Sequence, residues 1–212
     1  MPKHLIWDWN GTLFDDFHAV VAASNAAFAY AGGPAIDAQT HRERFRRPIK
    51  EFYSEIVGRV LEAAEFVELD RVFHEHYDSQ IATCDVTADA RAAMDGWPGT
   101  QSLLSMWFHD DLVPLVDRHG LTERFTRVDG LREALGGDGK HPHLMTHLEA
   151  VGVEAADAVL IGDSVDDARA AAAAGAACVL YTGGFTSPQQ LRATGLPVVD
   201  TLKAAVATAL RA

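Results

Sequence analysis

Four short segments of this 212-residue chain carry side chains whose types and spacing suit the handling of a phosphoryl group. In the first, Asp8-Trp9-Asn10-Gly11-Thr12, a carboxylate closes the apolar run Leu5-Ile6-Trp7, so a buried strand and a tight turn would hold it rigidly. Gly11 lets the backbone approach a ligand closely, and the Thr12 hydroxyl can donate to an anion. The second, Leu104-Ser105, places a hydroxyl at an expected strand end, and the third, Gly139-Lys140-His141-Pro142, sets a lysine between a glycine loop and a helix. In the fourth, Gly162-Asp163-Ser164-Val165-Asp166-Asp167, three carboxylates crowd a strand-to-helix junction. Each segment alone has an ordinary reading: an Asx-type turn, a strand serine, a solvated lysine, acids at a helix N-terminus. Crowded carboxylates repel one another unless a cation compensates, and hard oxygen ligands suit Mg²⁺. Together the four supply a carboxylate nucleophile, a hydroxyl donor, a point positive charge and a divalent-cation site, which are the parts phosphoryl transfer needs.

The elements that must position these residues alternate. Leu5 to Trp9 reads as a buried strand, and Val20–Ala31 as a helix broken by Gly32-Gly33-Pro34. Ile49–Ala64 and Leu69–Ile81 have helical apolar spacing, and no strand is expected between Asp16 and Cys84. Beyond that stretch come a helix at Ala88–Met94, a strand at Gln101–Ser105 weakened by Ser102, a helix at His109–His119 and strand character around Phe125–Val128. A loop at Gly136–Gly139 precedes a helix at His143–Val151. Then strands at Ala158–Ile161, Ala177–Tyr181 and Pro197–Val199 alternate with helices at Asp166–Ala174, Gln189–Ala193 and Leu202–Leu210. This order predicts an α/β protein, with a doubly wound, Rossmann-like parallel sheet formed by 1–15 and 85–212 and a helical insertion at 16–84. Ligands of such sheets bind at the carboxyl ends of the strands, where the chemistry-bearing segments fall.

Bulk properties narrow the function classes. A net charge of −12 argues against nucleic acid or an anionic membrane as partner. No apolar stretch approaches the ~20 residues that span a bilayer, and the N-terminal run lacks the form of a signal peptide, so a cytoplasmic setting is expected. Cys84 and Cys178 form no disulfide framework or zinc spacing and read as small core hydrophobes.

The motifs resemble those of the haloacid dehalogenase superfamily, in particular its phosphatases related to phosphoglycolate phosphatase. The family's Asp-x-Asp-Gly-(Thr/Val), strand-end Ser/Thr, Lys and Gly-Asp-(Ser/Thr)-x-x-Asp correspond in order to Asp8–Thr12, Ser105, Lys140 and Gly162–Asp167. Asp167–Gly175, Gly183-Gly184 and Gln190-Leu191 fit the same group. The resemblance implies an α-helical (C1-type) cap in the insertion and an aspartyl-phosphate formed on Asp8. It implies Mg²⁺ held by Asp8, the Asn10 backbone carbonyl and Asp163, with Asp167 as ligand or neighbour. Ser105 and Lys140, helped by the backbone of Gly11 and Thr12, would bind the phosphoryl oxygens of a small phosphorylated metabolite. Monomer and homodimer both stay open.

One residue departs from the pattern. The family's phosphatases carry a second aspartate two residues after the nucleophile, as general acid and base; here it is Asn10, which cannot exchange a proton at neutral pH. Asp15, Asp16, His18 or His109 could substitute, or the substrate could have a good leaving group. The chain could also be a weakened phosphate-binding protein, or a hydrolase of phosphonates or other non-ester bonds. Lys50, the one lysine between Thr12 and Ser105, is the candidate for Schiff-base chemistry of the phosphonate type. The intact metal motif speaks against dehalogenation, which in the superfamily needs no Mg²⁺. The basic stretch His41–Lys50 offers either ion pairs on a solvated face or an arginine over the site, with Arg47 as the candidate. Trp7 and Trp9 are expected on one face, in the core, and most histidines on the surface.

Overall fold

The computed structural model describes residues 2–132 and 139–212. Six strands form one all-parallel sheet in the order β3-β2-β1-β4-β5-β6. They are β1 His4–Trp7, β2 Thr100–Phe108, β3 Val128–Leu131, β4 Ala158–Gly162, β5 Ala177–Tyr181 and β6 Val198–Val199. In β1, Leu5 and Trp7 face one side and Ile6 the other, as strand alternation requires. Helices α5 (Ala90–Asp95), α6 (His109–Arg118) and α10 (Leu202–Ala209) cover the first face; α7 (His141–Val151), α8 (Val165–Ala174) and α9 (Pro188–Ala193) cover the second. The centre of the sheet reads as continuous apolar runs because it is buried on both sides.

Between β1 and α5 lie four helices, α1 Phe17–Tyr30, α2 Ala38–Arg44, α3 Ile49–Val57 and α4 Ala63–Ile81, with an apolar cluster of their own built on Phe28, Phe52, Tyr53 and Leu69. The chain leaves and re-enters the sheet domain side by side. The Asp15 N–H donates to the Asp85 carbonyl at 2.9 Å, and the Thr87 N–H to that of Leu13 at 2.8 Å.

Several sequence expectations shift. The expected helix Ile49–Ala64 stops at Val57, because Gly58 takes a left-handed conformation (φ +78°) that caps α3, and α4 starts afresh at Ala63. Helix α2, within the basic stretch, was not anticipated; Asp37 caps it by accepting from the Thr40 N–H. Strand β3 begins only at Val128, and residues 122–124 form a 3₁₀ turn. Part of the Gly136–Gly139 loop, 136–138, lies outside the described residues. Strand β2 continues to Phe108 instead of ending at Ser105. Its register against β3 shifts between Leu104 and Phe108, so Ser105 sits at an irregularity within the strand. Cys84 and Cys178 are buried free thiols.

Three of the ten histidines, His4, His41 and His147, are buried rather than on the surface. His4 and His147 explain how Ser102 sits in a central strand. Its hydroxyl lies 2.7 Å from both His4 Nε2 and His147 Nε2, while His147 Nδ1 lies 2.7 Å from Asp129 Oδ2. A fully partnered polar chain of this kind can be buried without a net penalty. Burial, with the charge of His147 adding, depresses His4 to about 4. A base whose pKa is lower in the folded state binds fewer protons there, so its contribution to stability is complete above about 6.5 and is lost as the pH falls toward 4. Thermal unfolding at pH 7 and pH 5 is therefore expected to show a larger drop in midpoint for the wild type than for His4→Gln, which keeps polar atoms but not the titration. Equal drops would remove His4 from this role.

Candidate active site

The carboxyl ends of β1, β2 and β4 converge beneath the helical insertion, and the motif residues converge there. Asp8 follows directly on β1, its N–H donating to the Ile161 carbonyl of β4 at 2.9 Å. The turn after it is closed by the Trp9 carbonyl, which accepts from the N–H groups of Thr12 and Phe14. Gly11 is required twice over: its φ is +72°, and a Cβ would lie 2.8 Å from Asp163 Oδ2 and 3.0 Å from the Phe185 ring. Thr12 Oγ1 is 3.3 Å from Asp8 Oδ2 and 3.2 Å from Asp163 Oδ1, a hydroxyl between two carboxylates.

Lys140 is the centre of the charge balance. It stands at the start of α7, where its N–H donates to Asp166 Oδ2, and its buried ammonium lies 2.5 Å from both Asp8 Oδ1 and Asp167 Oδ1. Asp167 is fixed in turn by a capping box: the Ser164 hydroxyl accepts from the Asp167 N–H, and Asp167 Oδ2 accepts from Ser164. Asp163, following β4, accepts the Phe185 N–H at 2.5 Å from the loop after β5. A side chain at Gly184 would collide with the Asp163 carboxylate, so that loop can press against the site only with glycine there.

The carboxylate oxygens of Asp8, Asp163 and Asp167 lie within 4.8 Å of one another. Three carboxylates against one ammonium leave the buried cluster short of positive charge. Burial, with the charge of Asp167 adding, pushes Asp8 up to about 6 against the pull of Lys140. Asp163 is pushed well above the usual carboxylate range by burial and by Asp8 and Asp167. Burial alone would lower Lys140, but Asp167 and Asp8 outweigh it and hold the ammonium above its ordinary value. A compact, all-oxygen, over-acidic donor set of this kind fits a hard divalent cation such as Mg²⁺.

Asn10 and Ser105 stand beside this cluster. Ser105 Oγ donates to Asn10 Oδ1 at 3.2 Å. The Asn10 amide nitrogen donates to Asp16 Oδ2 at 2.8 Å and to the Tyr77 hydroxyl at 2.9 Å. Asp16 also accepts from Tyr77 at 2.6 Å and from the Gly11 N–H at 2.8 Å. Burial raises Asp16, opposed by the hydrogen bonds from Tyr77, Asn10 and Gly11. Of the four residues weighed as substitutes for the missing acid, Asp16 alone touches Asn10. Asp15 and His18 are exposed, and His109 is occupied at the edge of the sheet with Gly130 and Arg132.

A cavity of about 440 Å³ opens above these groups, bounded by α3 and α4, the end of β2 and the 183–185 loop, with Asp8, Asn10, Ser105, Lys140 and Asp163 in its wall. Arg47 and Lys50 line it too, Arg47 with its Nε 3.7 Å from Asp166 Oδ2. Arg42 ties the insertion to the core as well, donating to the carbonyls of Gly184 and Gly183 at 2.8 and 3.0 Å and lying over the Phe17 ring. Arg44 and Arg46 both pair with Glu55. Sequence reasoning missed Arg42, Tyr77, Trp107 and the Phe185 N–H. The α4 spacing Phe66, Phe73, Tyr77 was the available sign of an aromatic face turned inward.

Comparison with known proteins agrees with this geometry. A family model described as HAD-hydrolase-like matches residues 137–205. The chain is 28% identical over 200 residues to phosphoglycolate phosphatase 1 of Pseudomonas aeruginosa, covering 87% of this chain and 71% of that protein. It is 26% identical to the phosphoglycolate phosphatase of Chromobacterium violaceum, over 90% of each. Among solved structures, a haloacid dehalogenase-like family hydrolase from Streptococcus pneumoniae superposes with a TM-score of 0.83 at 16% identity, covering 98% of both chains. The doubly wound sheet with its inserted helices is thus the haloacid dehalogenase fold, and the chain is similar in sequence to hydrolases of that superfamily. Within it, the chain is similar to the phosphoglycolate phosphatases. No helix among the described residues is long and apolar enough to cross a membrane.

The charge imbalance makes a two-sided prediction. Without metal, Asp163→Asn should raise the thermal midpoint, because it removes one of three mutually repelling carboxylates. Mg²⁺ should stabilise the wild type, by about 2.7 kcal/mol at a hundredfold excess over Kd, and should stabilise Asp163→Asn far less. Equal Mg²⁺ shifts in the two proteins would place the cation elsewhere.

Proposed function

We propose that the protein is a Mg²⁺-dependent phosphatase of a small organic phosphate that works through an aspartyl-phosphate on Asp8. The observation that carries this is the Lys140 ammonium held between Asp8 and Asp167, with Asp163 beside them, at the floor of a ligand-sized cavity. Asp8 attacks phosphorus, a bond forms to its carboxylate oxygen, and the bond from phosphorus to the leaving oxygen breaks. Water then attacks phosphorus and the bond to Asp8 breaks, releasing inorganic phosphate and restoring the carboxylate. Lys140 and the Ser105 hydroxyl balance charge on the phosphoryl oxygens, with the Gly11 and Thr12 backbone as further donors. Asp8, the Asn10 backbone carbonyl and Asp163, with Asp167 adjacent, would hold Mg²⁺, which would supply further positive charge to the phosphoryl oxygens. Residues 16–84 act as the cap that closes the cavity from water.

Asn10 sets the rate. Its amide nitrogen is turned toward Asp16 and Tyr77, so in this arrangement it neither donates a proton nor orients the leaving oxygen. General acid–base help is worth about 10²–10⁴-fold, and alkyl phosphates should be turned over slowly by that margin. Simple restoration of the acid meets an obstacle: Asn10→Asp would set two buried carboxylates against each other, since Asp16 Oδ2 is 2.8 Å from the Asn10 nitrogen. The charge-exchanged pair Asn10→Asp with Asp16→Asn avoids this. Steady-state assays with an alkyl phosphate are expected to rank the double variant about 10²–10⁴-fold above the wild type, Asn10→Asp between them, and Asp8→Asn without activity. Activity surviving in Asp8→Asn, or a double variant no faster than wild type, would contradict the mechanism.

A further inference from the structure

We infer that the substrate is a phosphate monoester of an aromatic alcohol, its ring seated between α4 and the end of β2. This rests on the phosphatase reading and adds to it the chemistry of the leaving group. The first observation is the composition of the cavity. Above the carboxylates its walls are rings: Phe52, Phe66, Phe73, Tyr77, Trp107 and Phe108. Phe66, Phe73 and Tyr77 share one face of α4 at helical spacing, while Trp107 and Phe108 arrive because β2 runs past Ser105. Phe73 stacks on Tyr77 at 5.7 Å with the rings 9° from parallel, and Tyr77 meets Trp107 edge-on at 5.7 Å. Phe66, Phe73 and Phe108 are only half-buried, so they present apolar surface to the space above the nucleophile. At about 440 Å³ the cavity lies in the range that takes a ring-bearing ligand. A two-carbon acid such as glycolate would leave most of that wall uncovered.

The charges around the cavity agree. Arg47 is drawn to Asp166, and His74 lies 3.7 Å from Asp70, which leaves Lys50 as the cap cation of the wall with no ion pair among the described residues. Two buried ring nitrogens in the wall, His41 Nδ1 and Trp107 Nε1, make no hydrogen bond. A buried polar atom without a partner is destabilising, but both atoms are shielded from the cavity and say nothing of the ligand. The wall is built for a mostly apolar group with a few polar points.

The second observation is independent: Asn10 cannot give the leaving oxygen a proton. A phenolic oxygen, with a pKa of about 10, departs as the anion far more readily than an alkoxide, whose proton affinity is near that of water at about 15.7. When Asp8 bonds to phosphorus, the aryl oxygen leaves with the electron pair of the broken bond and takes its proton from water. The aromatic wall and the missing acid thus select the same substrate.

Two probes separate this inference from the reading beneath it. Acetyl phosphate also has a good leaving group but cannot fill the cavity; 1-naphthyl phosphate has both properties. Asp8-dependent hydrolysis of acetyl phosphate is expected in the wild type, with a lower KM for 1-naphthyl phosphate than for acetyl phosphate or 2-phosphoglycolate. Phe73→Ala should raise the KM for 1-naphthyl phosphate roughly three- to tenfold, the scale of one lost aromatic contact, and raise that for acetyl phosphate far less. Phe66→Ala provides the same readout should Phe73→Ala fail to fold. No Asp8-dependent hydrolysis of acetyl phosphate would overturn the phosphatase reading itself. Hydrolysis of acetyl phosphate with no KM advantage for 1-naphthyl phosphate, or with cavity variants that alter both probes equally, would overturn the aromatic substrate alone.

Discussion

Three carboxylates sharing one buried ammonium is the constraint on which the rest of the site depends. Asp8, Asp163 and Asp167 come from the ends of two adjacent strands and the first turn of α8, and Lys140 pairs directly with Asp8 and Asp167. Removing that lysine would leave an uncompensated buried charge, among the most destabilising changes available to a fold. Much of the local architecture serves this balance. The Ser164 capping box fixes Asp167, the Thr12 hydroxyl separates two acids, and Gly11 and Gly184 keep side chains out of the space the carboxylates need. The remaining deficit of positive charge invites a divalent cation and an anionic substrate to the same point.

The second organising feature is the hydrogen-bonded triangle of Asn10, Asp16 and Tyr77. An amide occupies position 10, and a buried carboxylate six residues later holds that amide through Nδ2, with the Tyr77 hydroxyl closing the triangle. Asp16 is therefore spent on the backbone and on Asn10 instead of capping α1. The acid beside Asn10 is turned to the Gly11 N–H and to Tyr77 of α4. The triangle joins the turn after Asp8 to α4 of the insertion, while Arg42 joins α2 to the loop that carries Phe185. Any motion of the helical unit would be transmitted to the residue beside the nucleophile.

Much of this was legible in the sequence, for identifiable reasons. Strands β1 and β4 are short apolar runs ended by Asp or Gly, and the motif residues fall at their ends, so periodicity and turn chemistry sufficed to place Asp8 and Asp163. Contacts between distant segments were not legible. Ser102 looked like a flaw in a strand because its partners, His4 and His147, are 98 and 45 residues away. The reach of β2 past Ser105 depends on an irregular register with β3, which local sequence does not encode. Arg47 and Arg42 were equivalent in a basic stretch; only the docking of α2 on the 183–185 loop separates them. Asp16 could be offered as one of four groups near Asn10, but its selection required the fold of α4 to bring Tyr77 beside it.

The central claim is that Asp8 takes the phosphoryl group readily and, lacking an acid–base partner at position 10, gives it up slowly. Rapid acid quench of the enzyme during turnover of acetyl phosphate with Mg²⁺, followed by mass spectrometry of the peptide containing Asp8, tests this directly. The account predicts that a large fraction of the enzyme carries one phosphoryl group on Asp8, and that this fraction falls in the Asn10→Asp, Asp16→Asn double variant. Turnover with no phosphoryl group on the Asp8 peptide would contradict it.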